Sequence, residues 1–290
     1  MALEAGNRHA TRGGLDAPSW RHVLAGLPRV WILCVTLSHL FLVSVFPIPV
    51  SAQGAPTETP AEQTLNPLAH SSQLKVTPSL DFSAGPHLDT LMLEFQPRVP
   101  IGLTEHWRVV TRSNLSISQV LGNEETTGLG DFDASFFLSP ARATKWVWGA
   151  GPIIQLPTAT NMTEGTGKWS TGPTVALVYV NGPWVNGVVA SHLWSVAGPS
   201  SRESVEWTQV EMQVSYTFSN NWYVETNPTI SHDWRAPSGQ DWVIPIGAVV
   251  GREFTIRSQE VSLQVGAYYN GKRPNGTAAW MLVTGFSWVH

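Results

Sequence analysis

Charged side chains that could sort a solute by charge recur at alternate positions along this chain. Glu94 and Arg98 share one parity of residues 91–101, Arg108 and Arg112 one parity of 107–118, and Asp131 and Asp133 one parity of 130–138. Alternate residues of an extended strand point to the same side. Counting back from a turn near residues 102–105 places Arg112 roughly opposite Glu94 or Gln96, and counting across the next loop places it near Asp133. The expected result is a Glu94, Arg112, Asp133 cluster with Arg98, Arg108 and Asp131 beside it. Opposite charges on neighbouring strands stabilise pairing by roughly 0.2–1 kcal/mol, and a ring of them around a pore selects by charge. Further along, Glu211, Glu225 and Asp233 have few basic neighbours, so that wall is expected to be acidic and to favour cations or neutral polar solutes.

Other chemistries fare worse. Ser191 with His192, and Ser231 with His232, could suggest a lipid hydrolase, but sequence neighbours on a strand point to opposite faces and cannot act as nucleophile and base for each other. Interfacial histidines are the expected role. The pairs Asp131/Asp133 and Glu124/Glu125 read as wet-face or loop carboxylates. His70, His87, His106, His192, His232 and His290 show no metal-ligand spacing. The run GTGKWS at residues 165–170 lacks the first glycine of a phosphate loop. No catalytic residue, metal or cofactor is expected.

The elements that position these charges are short and strand-like. In residues 205–218, Val210, Met212, Val214, Tyr216 and Phe218 oppose Gln209, Glu211, Gln213, Ser215 and Thr217. Similar alternation covers 91–101, 107–118, 130–138, 222–233, 261–270 and 280–288, and is less clean in the segments that start at Trp146, Trp169, Trp184 and Trp242. Short connectors near 102–105, 140–144, 181–183, 219–221 and 255–258 alternate with longer ones near 119–128, 158–168, 197–204, 235–240 and 271–278. With a first hairpin near 85–88, the pattern predicts an all-β fold: an antiparallel, up-and-down transmembrane β-barrel of about twelve strands, within a range of ten to fourteen. A soluble barrel would hide its oily face; a membrane barrel turns it to lipid.

Composition favours lipid. Charged residues are 13% of the chain against a typical ~25%, and its net charge of −4 offers nucleic acid no basic face. Of 14 tryptophans, Trp107, Trp146, Trp169, Trp184, Trp194, Trp207, Trp222, Trp234, Trp242, Trp280 and Trp288 fall near expected strand ends, where they would form interfacial girdles. A tryptophan-rich soluble core is the alternative. Arg8, Arg12, Arg21 and Arg29 precede an apolar run that ends in Val50, Ser51 and Ala52, so residues 1–52 are expected to be a cleaved secretory signal. That run holds the only cysteine, Cys34. Residues 53–72 are rich in Pro, Ala, Thr and Glu, and read as a flexible periplasmic lead-in, with a lumen plug as the alternative. The barrel domain then spans 73–290.

The runs GLGDFDASFFLSP (128–140), WGAGPIIQLPTAT (148–160), GKWSTGPTVAL (167–177), NGPWVNGVVASHLWSVAG (181–198), NPTISHDW (227–234) and DWVIPIGAVVGREF (241–254) carry a resemblance. Through them, residues 74–290 resemble a family of bacterial outer-membrane barrels often catalogued under a neuromedin label. The chain is also similar to the outer-membrane channels associated with phenol-degradation pathways. What this resemblance implies is an outer-membrane location and transport, with no catalytic residues to carry over. Phe286 and Trp288 keep the alternation expected of a final strand, while His290 takes the last place usually held by an aromatic read by the assembly machinery. The expected partners are therefore the lipid bilayer, small solutes and that machinery, with no nucleic acid. The expected function is a passive channel with a narrow polar lumen. The alternatives are a structural or adhesive barrel and a lipid-modifying enzyme.

Overall fold

A computed structural model describes residues 58–82, 89–121, 126–142, 144–161, 164–257 and 259–290. The signal segment, residues 53–57, the first hairpin turn, Cys34, His87, Glu124 and Glu125 lie outside the described residues. One short helix, α1 (Pro60–Leu65), precedes fourteen strands: β1 (Gln73–Phe82), β2 (Asp89–Gly102), β3 (Trp107–Leu121), β4 (Thr126–Leu129), β5 (Phe132–Pro140), β6 (Trp146–Leu156), β7 (Trp169–Asn181), β8 (Trp184–Ala197), β9 (Glu206–Thr217), β10 (Trp222–Thr226), β11 (Thr229–Asp233), β12 (Trp242–Ile256), β13 (Gln259–Lys272) and β14 (Trp280–Val289). All pairings are antiparallel between neighbours in the ring, and β1 pairs with β14, so the sheet closes on itself.

Fourteen strands make twelve staves. β4 and β5 both pair with β3 and are parted by a one-residue slip in register at Gly130 and Asp131. A side chain at Gly130 would meet the Ser116 hydroxyl, which would have to turn aside. β10 and β11 are likewise two halves of one stave, both paired with β9 and interrupted at Asn227 and Pro228.

The alternation read from the sequence sorts as a membrane barrel requires. Met212, Val214 and Leu263 are 46%, 45% and 51% exposed on the outer surface, whereas Glu225 is 3% exposed and lines the interior. A soluble barrel has the reverse arrangement. No helix among the described residues is long and apolar enough to cross a membrane.

The interior is not uniformly wet. On β7 the inward residues change from Ser170 and Thr174 to Ala176, Val178 and Val180 towards the end where β1 begins and β14 ends. Together with Val110, Phe137, Val147, Val185 and Tyr223 they form an apolar floor packed against Ala61, Leu65 and Leu68. Segments with unclear alternation, β6 to β8 above all, are those with apolar residues on both faces.

Candidate functional site

The site is the lumen, a cavity of about 860 Å³. Inward positions of β2 and β3 supply Glu94, Gln96, Arg112 and Asn114; β5 supplies Asp133; β9 and β10 supply Glu211 and Glu225 from the facing wall. Asn114 stands opposite Asp133 in register, their side chains 3.5 Å apart. Arg112 Nη2 donates to Glu211 Oε2 at 3.0 Å and Oε1 at 3.3 Å. β3 and β9 are not neighbours in the ring, so this ion pair spans the pore.

Two sequence expectations are corrected here. Arg112 lies opposite Arg98, and Glu94 opposite Ser116. The cause is the turn: the Thr104 hydroxyl accepts from the amides of His106 and Trp107, and Leu103 N donates to Trp107 O, which moves the pivot to Glu105. Glu211, with few basic neighbours on adjacent strands, finds its basic partner across the lumen in Arg112.

Arg98 and Arg108 do not join the charge cluster; they hold the segment before β1 inside the barrel. Arg98 donates from Nη1 to the Asn66 carbonyl (2.5 Å) and from Nη2 to those of Gln63 (2.6 Å) and Ser71 (3.3 Å). Arg108 donates to the carbonyls of Leu68 (2.6 Å) and Ala69 (3.0 Å). Gln213 Nε2 from the opposite wall donates to Leu65 O at 2.6 Å. These acceptors include carbonyls left free where a helix ends, the pole of its dipole that attracts cations.

The described part of the lead-in is therefore ordered. Helix α1 starts with a capping box, in which Glu62 N donates to the Thr59 hydroxyl and Thr59 N to the Glu62 carboxylate, with Pro60 in the first turn. The Thr59-Pro60-Ala61-Glu62 run was the sequence signal for it. After the helix, the His70 amide donates to the Glu58 carboxylate, His70 Nδ1 lies 3.0 Å from Glu58 Oε1, and Nε2 lies 2.9 Å from Ala141 O. Burial pushes the Glu58 carboxyl up, but the hydrogen bonds from His70 outweigh it and hold the group below its ordinary value.

Three further residues sit elsewhere than expected. Asp131 accepts from the amides of Ala159 (3.1 Å) and Thr166 (2.7 Å) and from the Thr166 hydroxyl (2.8 Å), so it organises the loop after β6 instead of the charge cluster. Asp233 is exposed at the end of β11 and accepts from Arg235 N at 2.9 Å, beyond the acidic wall. Trp207 shares its parity with Gln209 and Glu211 and lines the lumen, so it is no part of the outer girdle.

The other named tryptophans fall at two levels. Trp107, Trp146, Trp184, Trp222 and Trp288 mark the end where β1 begins and β14 ends; Trp169, Trp194, Trp234, Trp242 and Trp280 mark the opposite end.

No family model matches the chain, and no curated protein does. Among solved structures, an outer-membrane channel from Pseudomonas putida F1 superposes with a TM-score of 0.58 at 13% identity, covering 81% of this chain and all of that one. The NanC porin follows at 0.48 and 12% identity, covering 74% and 98%. Outer membrane phospholipase A from Escherichia coli gives 0.40 and 13%, covering 77% of this chain and 93% of that one. At these identities the likeness is one of fold.

The histidine pairs follow parity. Ser191 faces inward and bonds Thr174 at 2.6 Å, while the His192 ring bonds the Thr208 hydroxyl at 2.9 Å. His232 Nε2 lies 3.3 Å from Asp241 Oδ2, its ring between Trp234 and Trp242. Among the described residues no group of three His, Cys, Asp or Glu is placed to hold a metal.

Proposed function

We propose that the protein is a passive outer-membrane channel for small solutes. The observation that carries this reading is a lumen of about 860 Å³, lined by many charged and amide side chains, inside a barrel whose outward side chains are apolar. Lys75 and Arg112 face a larger set of lumen carboxylates, Asp81, Glu94, Asp133, Glu211 and Glu225, which favours cations and neutral polar molecules over anions. The Arg112–Glu211 pair divides the pore, and the segment 58–72 narrows the end below it. Planar-bilayer recording on the chain from residue 53 onward tests this: discrete conductance is expected, and Glu211→Gln with Glu225→Gln shifts selectivity towards anions. No conductance above the bare bilayer refutes it.

A lipid hydrolase is a second reading, motivated by the His232–Asp241 contact at the outer rim. Against it, no serine hydroxyl is hydrogen-bonded to His232 among the described residues. Phospholipid turnover lost in His232→Ala would support it; none in the unaltered protein would end it.

A further inference from the structure

Hydrogen-bond donors in the lumen are committed, and acceptors are left over. Arg112 gives its guanidinium to Glu211, and Gln213 gives its amide nitrogen to Leu65 O. Asn114 Nδ2 donates to Asp133 Oδ2 at 3.5 Å and Asn270 Nδ2 to Ala278 O at 2.8 Å, which leaves Oδ1 of each amide without a partner. A carboxylate and a backbone carbonyl only accept, so these contacts fix which end of each amide is the oxygen. Asp81 Oδ1 and Glu225 Oε2 are likewise buried oxygens on lumen-lining residues with no donor to meet. Among the described lumen residues, Trp207 Nε1 is the one buried N–H in the same condition. Acceptors buried unmatched are unfavourable, and a solute that brings donors relieves them.

The imbalance is concentrated on one wall. Thr77 of β1 stands opposite Glu94 of β2, Glu94 opposite Ser116 of β3, and Asn114, the next inward position on β3, opposite Asp133 of β5. Four adjacent staves thus bring two lumen carboxylates, Glu94 and Asp133, close enough to repel one another. The lumen cations do not resolve this repulsion. Arg112 is bonded to Glu211, and Lys75, one inward position before Thr77, acts on both Glu94 and Glu225 without an ion pair to either among the described residues. Thr77 is an independent mark of a ligand. It is 8% exposed and faces the lumen beside Glu94, yet its hydroxyl has no hydrogen-bond partner. Packing alone would be served by valine, which has no hydroxyl to satisfy.

We propose that this patch is a binding subsite for guanidinium compounds, held between Glu94 and Asp133 with Thr77 Oγ1 and Asn114 Oδ1 as further acceptors. A singly substituted guanidinium carries five N–H donors in a planar fork that matches carboxylates. An ammonium brings three donors from one point, fewer than the acceptors gathered here. Arg112 shows the match within the same lumen, since its guanidinium takes both oxygens of Glu211, at 3.0 and 3.3 Å. A metal ion fits less well, because no group of three His, Cys, Asp or Glu among the described residues is placed to hold one. The subsite rests on the channel reading and deepens it by naming a class of solute.

The chain from residue 53 onward, folded in detergent, is titrated with methylguanidinium, methylammonium and tetramethylammonium, and binding is read by saturation-transfer NMR on the methyl signals. Affinity is expected to fall in that order, with no saturable binding of tetramethylammonium, which has the charge but no N–H. Thr77→Val removes a hydroxyl that has no partner to lose, and should weaken methylguanidinium several-fold. Glu94→Gln, which removes a charge and adds a donor, should weaken it further; heat-modifiable gel migration confirms folding of each variant. Planar-bilayer recording in potassium chloride tests the channel separately. Three cations that bind alike, or methylguanidinium binding indifferent to both substitutions, overturn the subsite and leave the channel standing. Binding with the expected dependence in a barrel that passes no ions overturns the channel reading alone. Should either variant fail to fold, the order of the three cations on the unaltered protein decides.

Discussion

Arg98 is 3% exposed, and its guanidinium is engaged by backbone carbonyls from three residues of the segment before β1. Such a side chain is a clamp. Leaving those carbonyls without a donor costs about 1–3 kcal/mol per group, offset where lumen water replaces the arginine. Arg98→Ala is therefore expected to release residues 58–72, seen as a larger unit conductance and faster proteolysis of that segment; unchanged values for both would show the clamp to be dispensable. Glu58 works with it and is pH-dependent. Because its folded value lies below the ordinary 4.5, its contribution is fully present above that value and is lost as pH falls through the lowered one. Conductance should rise on acidification from about pH 5 downward, and Glu58→Gln should flatten the profile. Register explains why the sequence pointed elsewhere: parity correctly turned Arg98 and Arg108 inward, but only the turn pivot at Glu105 and the presence of α1 decided what they meet.

At the scale of elements, strands whose two faces are both apolar carry information. The inward face of β7 is polar near Ser170 and apolar by Val178, and the change marks where Leu65 and Leu68 pack. Each of those leucines contributes about 1.5–3 kcal/mol through burial. Outward faces answer to lipid instead. Val265, in the middle of β13 and 61% exposed, should tolerate arginine poorly: Val265→Arg is expected to destabilise the barrel by about 2–4 kcal/mol, measured by urea unfolding in lipid vesicles. A cost near zero would show that this face does not meet acyl chains. The stave formed by β10 and β11 was legible as one alternating run from Trp222 to Asp233. Its break was not, because parity alone does not show that Asn227 and Pro228 interrupt the ladder to β9.

For the whole molecule, closure through β1 and β14 does not depend on what fills the lumen. The ladder joins Gln73 to Val289 and continues to Phe82 and Trp280, and Ser72 and His290 exchange backbone hydrogen bonds just outside it. Deletion of residues 58–70 is therefore expected to leave a folded, heat-modifiable barrel with increased conductance; loss of folding would mean that the apolar floor needs Leu65 and Leu68 to form. Alternation and the connectors determined about twelve staves and which residues share a face, because parity sets the side of a strand; scarce charge and tryptophan at the strand ends supplied the orientation, oily side out and charged residues inward. Tertiary structure decided the rest. Arg112 meets Glu211 because a ring brings together residues 99 positions apart, and the lead-in is ordered because only a closed wall surrounds it with buried donors and an apolar floor. Contacts across a lumen depend on closure, and closure is a property of all the strands together.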